Sequence, residues 1–340
     1  MSFAKYCLVA FTTLVSVALG QSLSSSKTEP RVLPLEGDIS PIHDPTMIRE
    51  GDSYYVFATN RFQGKHVPQF CSKDLRHWRF CGNVFDDVPH WALRYVPGAR
   101  GMWAPDVSYI NGRYRIYYSV STFGSTQSVI GLITNKTLNP ESPDYRWVDE
   151  GYVVASSAHN DWNSIDANFT ADENGDHWLL WGSFWSGIKM HKLDKQTGKL
   201  SSEDTTMYSL ASRRPMQPPA IEAPLIVRHA EFYYLFVSFD RCCRGAESTY
   251  KIMVGRSRKI TGPYADREGK PMLEGGGTLL LEGSEHWRGP GGQHVLPQPE
   301  GDLLVFHAYD AKTGRPSLRI STLVWDEEGW PRAGKLPPAE

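Results

Sequence analysis

Apolar and polar positions alternate along most of this chain in short runs that return five times in one order: a polar or acidic residue, an apolar strand, a polar turn, and a second strand rich in aromatics. The first copy is Asp44-Pro45-Thr46-Met47-Ile48, a turn at Glu50-Gly51-Asp52, then Tyr54-Tyr55-Val56-Phe57-Ala58. Later copies open at Ala104, Asp166, Glu222 and His294 and return through Tyr114–Tyr118, Trp178–Trp181, Tyr233–Val237 and Leu303–Phe306. Turns such as Asn111-Gly112 and Asn174-Gly175-Asp176 supply residues that tolerate the backbone angles of a tight hairpin. Each copy therefore predicts a β-hairpin.

The openings from Asp44 to His294 lie 60, 62, 56 and 72 residues apart. That period is long for one hairpin and suits a four-stranded sheet with generous loops. Five such sheets around one axis predict an all-β fold, a five-bladed β-propeller occupying residues 21–340 as a single domain. Two separate β domains would show a linker, and none interrupts the pattern between Asp44 and Phe306; a β-sandwich is the alternative fold. The 23 Pro and 30 Gly are spread throughout, as short strands and many turns require.

The first twenty residues read differently. Lys5, an apolar run from Cys7 to Leu19, and small residues at Ala18 and Gly20 predict a secretory signal peptide over residues 1–20, hence a secreted, extracellular protein. The run is shorter than the roughly 20 residues a membrane-spanning helix needs, and no later segment approaches that length. A formal net charge of -2 implies no general attraction to nucleic acid or anionic membrane. No heptad or long apolar segment suggests an obligate oligomer, so a monomer is expected. Removing the leader leaves Cys71, Cys81, Cys242 and Cys243, which in an oxidising compartment allow three pairings. The short Cys71–Cys81 loop is the natural one to staple. Adjacent Cys242 and Cys243 could join only in an eight-membered ring that disulfide geometry disfavours, so their state stays open.

The candidate chemistry lies where the copies begin. In a propeller the first strand of each blade lines the central channel, so residues far apart in sequence converge there. Three openings are carboxylates, Asp44, Asp166 and Glu222, a residue type expensive to bury at the head of an apolar strand. One such residue alone reads as a satisfied structural acid; three at matching positions point to catalysis. Close carboxyls push their pKa values apart, leaving one protonated as general acid and another ionised as general base, which is the requirement of glycoside hydrolysis. The 11 Trp, in a chain 12% aromatic, fit a sugar-binding cleft, although most single Trp residues fill core.

The segments Pro41-Ile42-His43-Asp44-Pro45, Met102-Trp103-Ala104-Pro105-Asp106-Val107, Ser164-Ile165-Asp166-Ala167, Ala220-Ile221-Glu222-Ala223-Pro224 and Gly291-Gly292-Gln293-His294-Val295 resemble the blade motifs of glycoside hydrolase family 43, in particular its fungal-type endo-1,5-α-L-arabinanases. The resemblance covers nearly all of the chain after the leader. It implies hydrolysis of α-1,5-linked arabinan with inversion, Asp44 as general base, Glu222 as general acid, and Asp166 orienting Glu222 and raising its pKa. It also implies calcium in the central channel with His294 as a ligand, largely surrounded by water, and no organic cofactor. By residue chemistry alone a lone His is more often a core or hydrogen-bonding group, and calcium prefers oxygen.

Trp103 and Phe123 look like sugar-stacking positions, Asn168 and Ser183 like hydroxyl partners, and His43 is placed to orient the base or to pack beside it. The Cys242-Cys243-Arg244-Gly245 segment resembles endo-acting members. Exo-acting arabinofuranosidase or β-xylosidase activity on the same fold is the alternative, and a carbohydrate-binding propeller without catalysis is another; the latter need not keep three carboxylates. Of two sequons, Asn135-Lys136-Thr137 is expected on a surface loop and open to glycosylation, and Asn168-Phe169-Thr170 on an inner strand and closed to it.

Overall fold

A computed structural model describes Met1 and residues 32–59, 61–62, 65–214 and 216–334; the expected signal peptide lies outside these residues, apart from Met1. Five sheets follow one another along the chain, each an up-and-down meander running outward from the axis. The innermost strands are His43–Glu50, Met102–Ile110, Asn168–Ala171, Ile221–His229 and Trp287–Leu296. Blade one carries two extra short strands, Glu36–Gly37 and Arg61–Phe62. The ring is closed by the segment before blade one, which bonds to the third strand of blade five through Leu33 N–H to Ile320 O and Leu318 N–H to Ile39 O. The expected five-bladed propeller is the fold observed. Among the described residues, no helix is long and apolar enough to cross a membrane.

The core is five seams between neighbouring blades, because a strand buried on both faces sends alternate residues to opposite sides. Tyr55 and Phe57 pack toward blade two, Val56 and Ala58 toward blade five. In blade three, Trp178 and Leu180 face blade four while Leu179 and Trp181 face blade two. This is why the second strand of each repeat reads as an unbroken apolar run rather than a simple alternation.

Each blade also has one residue in the left-handed backbone region at an equivalent place near the head of its inner strand: Asp44, Ala104, Asp166, Ala223 and Gly292, with φ of 46°, 39°, 59°, 51° and 55°. Pairing with the second strand shifts register across this point in blades one, two, four and five. Such a bulge re-aims side chains at the rim of a sheet. It also corrects the sequence alignment. Asp44 and Asp166 do match, but Glu222 stands one residue before the special position and His294 two after it. The three carboxylates are neighbours in space without being strict repeats of one another.

Both disulfides join as the sequence allowed, Cys71 to Cys81 and Cys242 to Cys243. The glycosylation expectation at Asn135 is not met by its placement. Asn135 ends the third strand of blade two, Ser128–Asn135, at 0% exposure, its Oδ1 accepting the Lys136 and Arg146 N–H groups. A glycan on its buried amide nitrogen has no room in this fold. Asn168 is buried as expected.

Candidate active site

One end of the propeller carries a cleft of about 620 Å³ whose lining includes His43, Asp44, Trp103, Phe123, Asp166, Ser183 and Glu222. The three carboxylates thus meet, although their chain positions span blades one, three and four. Asp44 and Asp166 also border the narrower channel beneath, together with Asp106, Asn168 and His294.

Asp44 is surrounded by groups that favour its ionised form. His43 Nδ1 lies 2.8 Å from its Oδ2, and the Thr59 hydroxyl donates to the same oxygen at 2.8 Å while accepting the Ala104 N–H at 2.6 Å. His307, stacked on His43 with ring centres 3.7 Å apart, accepts the Asp44 N–H at 3.1 Å. Burial works to raise the Asp44 pKa, but His43 and Thr59 together hold it well below the usual carboxylate range. The approach is close enough that a Cβ at Gly292 would sit 2.5 Å from Asp44 Oδ1 and 2.9 Å from His307 Nδ1. That is the local reason for glycine at this left-handed position.

Glu222 is pushed the other way. It is 8% exposed, and burial is the main cause of its raised pKa; the Asp44 charge adds to it, while Ser183 and Tyr250 oppose it. Ser183 Oγ donates to Oε2 at 2.6 Å and Tyr250 Oη to Oε1 at 2.7 Å, which fixes the carboxyl plane. Asp166 is raised as well, by burial first and then by its carboxyl neighbours Glu222 and Asp44. Its Oδ2 accepts the N–H of Ala223, the residue after Glu222, at 3.0 Å. Two carboxyls displaced in opposite directions thus line one cleft, an arrangement that can serve acid–base displacement at an acetal.

Both aromatic candidates lie at the cleft. Trp103 and Phe123 line the cleft with ring centres 5.0 Å apart, and Phe123 is 81% exposed, which an apolar side chain adopts at a cost unless something covers it. His43 lines the cleft with its Nδ1 turned to Asp44. Ser183 borders the cleft, but its hydroxyl hydrogen is committed to Glu222. Asn168 is a correction: its amide donates to Asp106 at 3.1 Å and accepts the Ile226 N–H at 3.1 Å, tying blades two, three and four below the cleft. It lines the channel and not the sugar side.

His294 also belongs to the channel. Its Nδ1 accepts the Met47 N–H at 3.2 Å and meets the Thr46 hydroxyl at 3.3 Å, and burial lowers its pKa to about 4, leaving the ring neutral. A neutral imidazole whose Nδ1 lone pair is used in this way carries its hydrogen on Nε2 and has no second lone pair for a cation. The donor set therefore does not fit calcium bound directly by His294, and no step below runs through a metal.

Several cleft residues escaped the sequence reading. Phe184 and Trp185 form a tip with φ of 55° and 40° between Gly182 and Gly187, the two glycines being the signal that could have marked it. Tyr250 and Tyr309 sit at strand ends with nothing in their spacing to distinguish them from core tyrosines. Arg241, Arg244 and the Cys242–Cys243 pair form another wall of the cleft.

A sequence-family model for "Glycosyl hydrolases family 43" matches residues 40–331. An extracellular endo-α-(1→5)-L-arabinanase of Bacillus subtilis is 46% identical over 292 residues, covering 85% of this chain and 87% of that protein. An extracellular exo-α-(1→5)-L-arabinofuranosidase of Cellvibrio japonicus is 43% identical over 302 residues, covering 86% of each. A solved α-L-arabinanase of Cellvibrio cellulosa in complex with arabinohexaose superposes with a TM-score of 0.81 at 41% identity, covering 86% of this chain and 95% of that one.

Proposed function

Because this chain belongs to glycosyl hydrolase family 43 and is a glycoside hydrolase of the arabinanase type, we propose that it is secreted, acts as a monomer, and cuts α-1,5-linked L-arabinan at internal bonds with inversion. Asp44 takes a proton from water as that water attacks the anomeric carbon of an arabinofuranosyl unit. Glu222 gives its proton to the glycosidic oxygen, which leaves as the new hydroxyl of the departing chain. The products are two shorter arabinans, one ending in a sugar of inverted configuration, and the pair is reset when Asp44 and Glu222 exchange their protons with solvent.

The observation that carries this reading is the opposite pKa displacement of two carboxyls lining one cleft, Asp44 downward and Glu222 upward. Asp166 acts as a positioning residue through its bond to the Ala223 N–H, and its carboxyl near Glu222 disfavours charge on both. The exposed Phe123 beside Trp103 supports a groove that a chain can cross, hence internal cleavage. Exo action is the second reading, favoured by the similarity to the Cellvibrio japonicus enzyme.

The test is incubation with debranched linear arabinan, following reducing ends, product sizes and the anomeric configuration of fresh product by proton NMR. A spread of oligosaccharides of inverted configuration supports the proposal. Release of a single small product from the first turnover favours exo action, retention excludes the assigned roles, and binding without cleavage favours a non-catalytic propeller.

A further inference from the structure

Three blades meet at the hydroxyl of Tyr309. The residue lies near the end of the second strand of blade five, Leu303–Asp310, and is 3% exposed. The turn that follows the second strand of blade four contains the joined pair Cys242–Cys243, and the Cys243 N–H donates to Tyr309 Oη at 2.8 Å. Tyr309 Oη in turn stands 2.5 Å from Nε2 of His43, on the inner strand of blade one. The opposite ring nitrogen, Nδ1, is the one 2.8 Å from Asp44 Oδ2. Cys243 Sγ, 3.8 Å from His43 Nε2, covers the same edge of the ring.

A phenol hydroxyl can donate or accept, and this decides what the chain of contacts does. When His43 is neutral, Tyr309 gives its hydrogen to Nε2, so the ring hydrogen resides on Nδ1 and points at Asp44. When His43 is protonated, Nε2–H donates to Tyr309 and Nδ1–H still points at Asp44. In both states the base receives a hydrogen bond. Without the hydroxyl, a neutral His43 is free to put its hydrogen on Nε2 and turn a bare lone pair toward the carboxylate. Burial holds the Tyr309 hydroxyl well above the ordinary phenol range, so it remains protonated throughout the working range.

We propose that Tyr309 and the Cys242–Cys243 turn are positioning elements for the general base: the covalent pair fixes the Cys243 N–H, that N–H fixes Tyr309, and Tyr309 keeps an Nδ1–H of His43 on Asp44. The inference rests on the assignment of Asp44 as the base. Cys243 adopts φ 66°, a region that residues other than glycine enter at a cost, and linking it to its neighbour removes the freedom by which the turn would relax. The other titratable groups facing Asp44 are His307 from blade five, Asp166 from blade three, and Glu222 and Tyr250 from blade four; burial holds His307 neutral and raises the other three.

The experiment compares the parent, Tyr309→Phe, the paired Cys242→Ser/Cys243→Ser variant and their combination on linear arabinan, recording kcat, KM and the pH profile, with nitrogen-15 NMR of His43. Tyr309→Phe is expected to lower kcat by about 10–100-fold, the scale on which a slightly misplaced active-site group loses rate. KM should stay within about threefold. The acid limb of the kcat/KM profile should move to higher pH as Asp44 loses its hydrogen bond, and the His43 spectrum should show hydrogen on Nε2. The cysteine pair should change in the same direction by less, and the combined variant should be no worse than Tyr309→Phe alone, because both act on one relay.

Variants that merely melt earlier, with the parent's pH profile and His43 tautomer, overturn the inference, as does full additivity of the two changes. A parent inert on arabinan removes the assignment of Asp44 on which the inference stands. Cleavage by the parent with unaltered variants removes the relay alone.

Discussion

Asp166 Oδ2 accepts the Ala223 N–H at 3.0 Å, so the channel carboxyl of blade three is tied to the residue that follows Glu222 in blade four. An asparagine at position 166 can accept the same N–H, but it removes a titrating carboxyl whose charge and that of Glu222 oppose one another. Asp166→Asn is expected to move the basic limb of the activity profile to lower pH and to reduce kcat at pH 7 by about tenfold or more.

The same substitution should stabilise the protein. With a raised pKa in the fold, Asp166 keeps a proton that the unfolded chain releases as pH rises through about 3.9, so the native state binds more protons and stability falls across that window. Asparagine lacks this penalty. A Tm a few degrees above the parent at pH 7, with the difference vanishing below about pH 3.9, is the expected calorimetric result. An equal gain at all pH values would show that the charge is not its source.

The proposed roles require Asp44 ionised and Glu222 protonated, so kcat/KM should follow a bell. The acid limb lies below the ordinary aspartate value of about 3.9, because Asp44 is lowered. The basic limb lies above the ordinary glutamate value of about 4.3, because Glu222 is raised. For Asp44 the linkage runs opposite to Asp166: its contribution to stability is complete above its unfolded pKa and is lost as pH falls toward its depressed folded one. Rates measured across pH on refolding-competent protein check both limbs.

A methyl group at Gly292 would collide with the base, since its Cβ would lie 2.5 Å from Asp44 Oδ1, at a φ of 55° that already costs alanine about 1 kcal/mol. Gly292→Ala should therefore lower kcat by about tenfold or more with a smaller loss of stability than a core truncation gives. Far-ultraviolet dichroism beside the kinetics separates displacement of the base from unfolding.

Phe123, 81% exposed against Trp103, is expected to act by covering sugar faces. Phe123→Ala should raise KM by about 5–30-fold with little change in kcat, the signature of binding that is equal in ground and transition states. Unchanged KM on long arabinan would place the chain elsewhere.

The propeller was legible because each blade repeats the same apolar and turn pattern, and because the second strands are buried on both faces, which leaves runs such as Tyr54–Ala58 in plain view. Register within the repeat was not. Aligning Glu222 and His294 with Asp44 ignored the left-handed bulge at Ala223 and Gly292, a backbone feature that alanine at position 223 does nothing to announce. The same offset explains Asn168. Two residues past the bulge, it shares with Thr46, Asp106 and His294 the position that faces the lower channel. Tyr250 and Tyr309 were invisible for another reason: their roles depend on where loops of blades four and five converge, and sequence spacing carries no such information.

The most direct test of catalysis by this carboxyl pair is the leaving-group dependence of Glu222→Gln. On linear arabinan the variant should be slower than the parent by about 10²–10⁴-fold, since the alkoxide leaving group needs its proton. On an arabino-oligosaccharide bearing a dinitrophenyl leaving group, which departs without protonation, most of that loss should disappear, while Asp44→Asn remains impaired on both substrates. An equal loss for Glu222→Gln on the two substrates would contradict Glu222 as the proton donor and, with it, the division of labour between the two carboxyls.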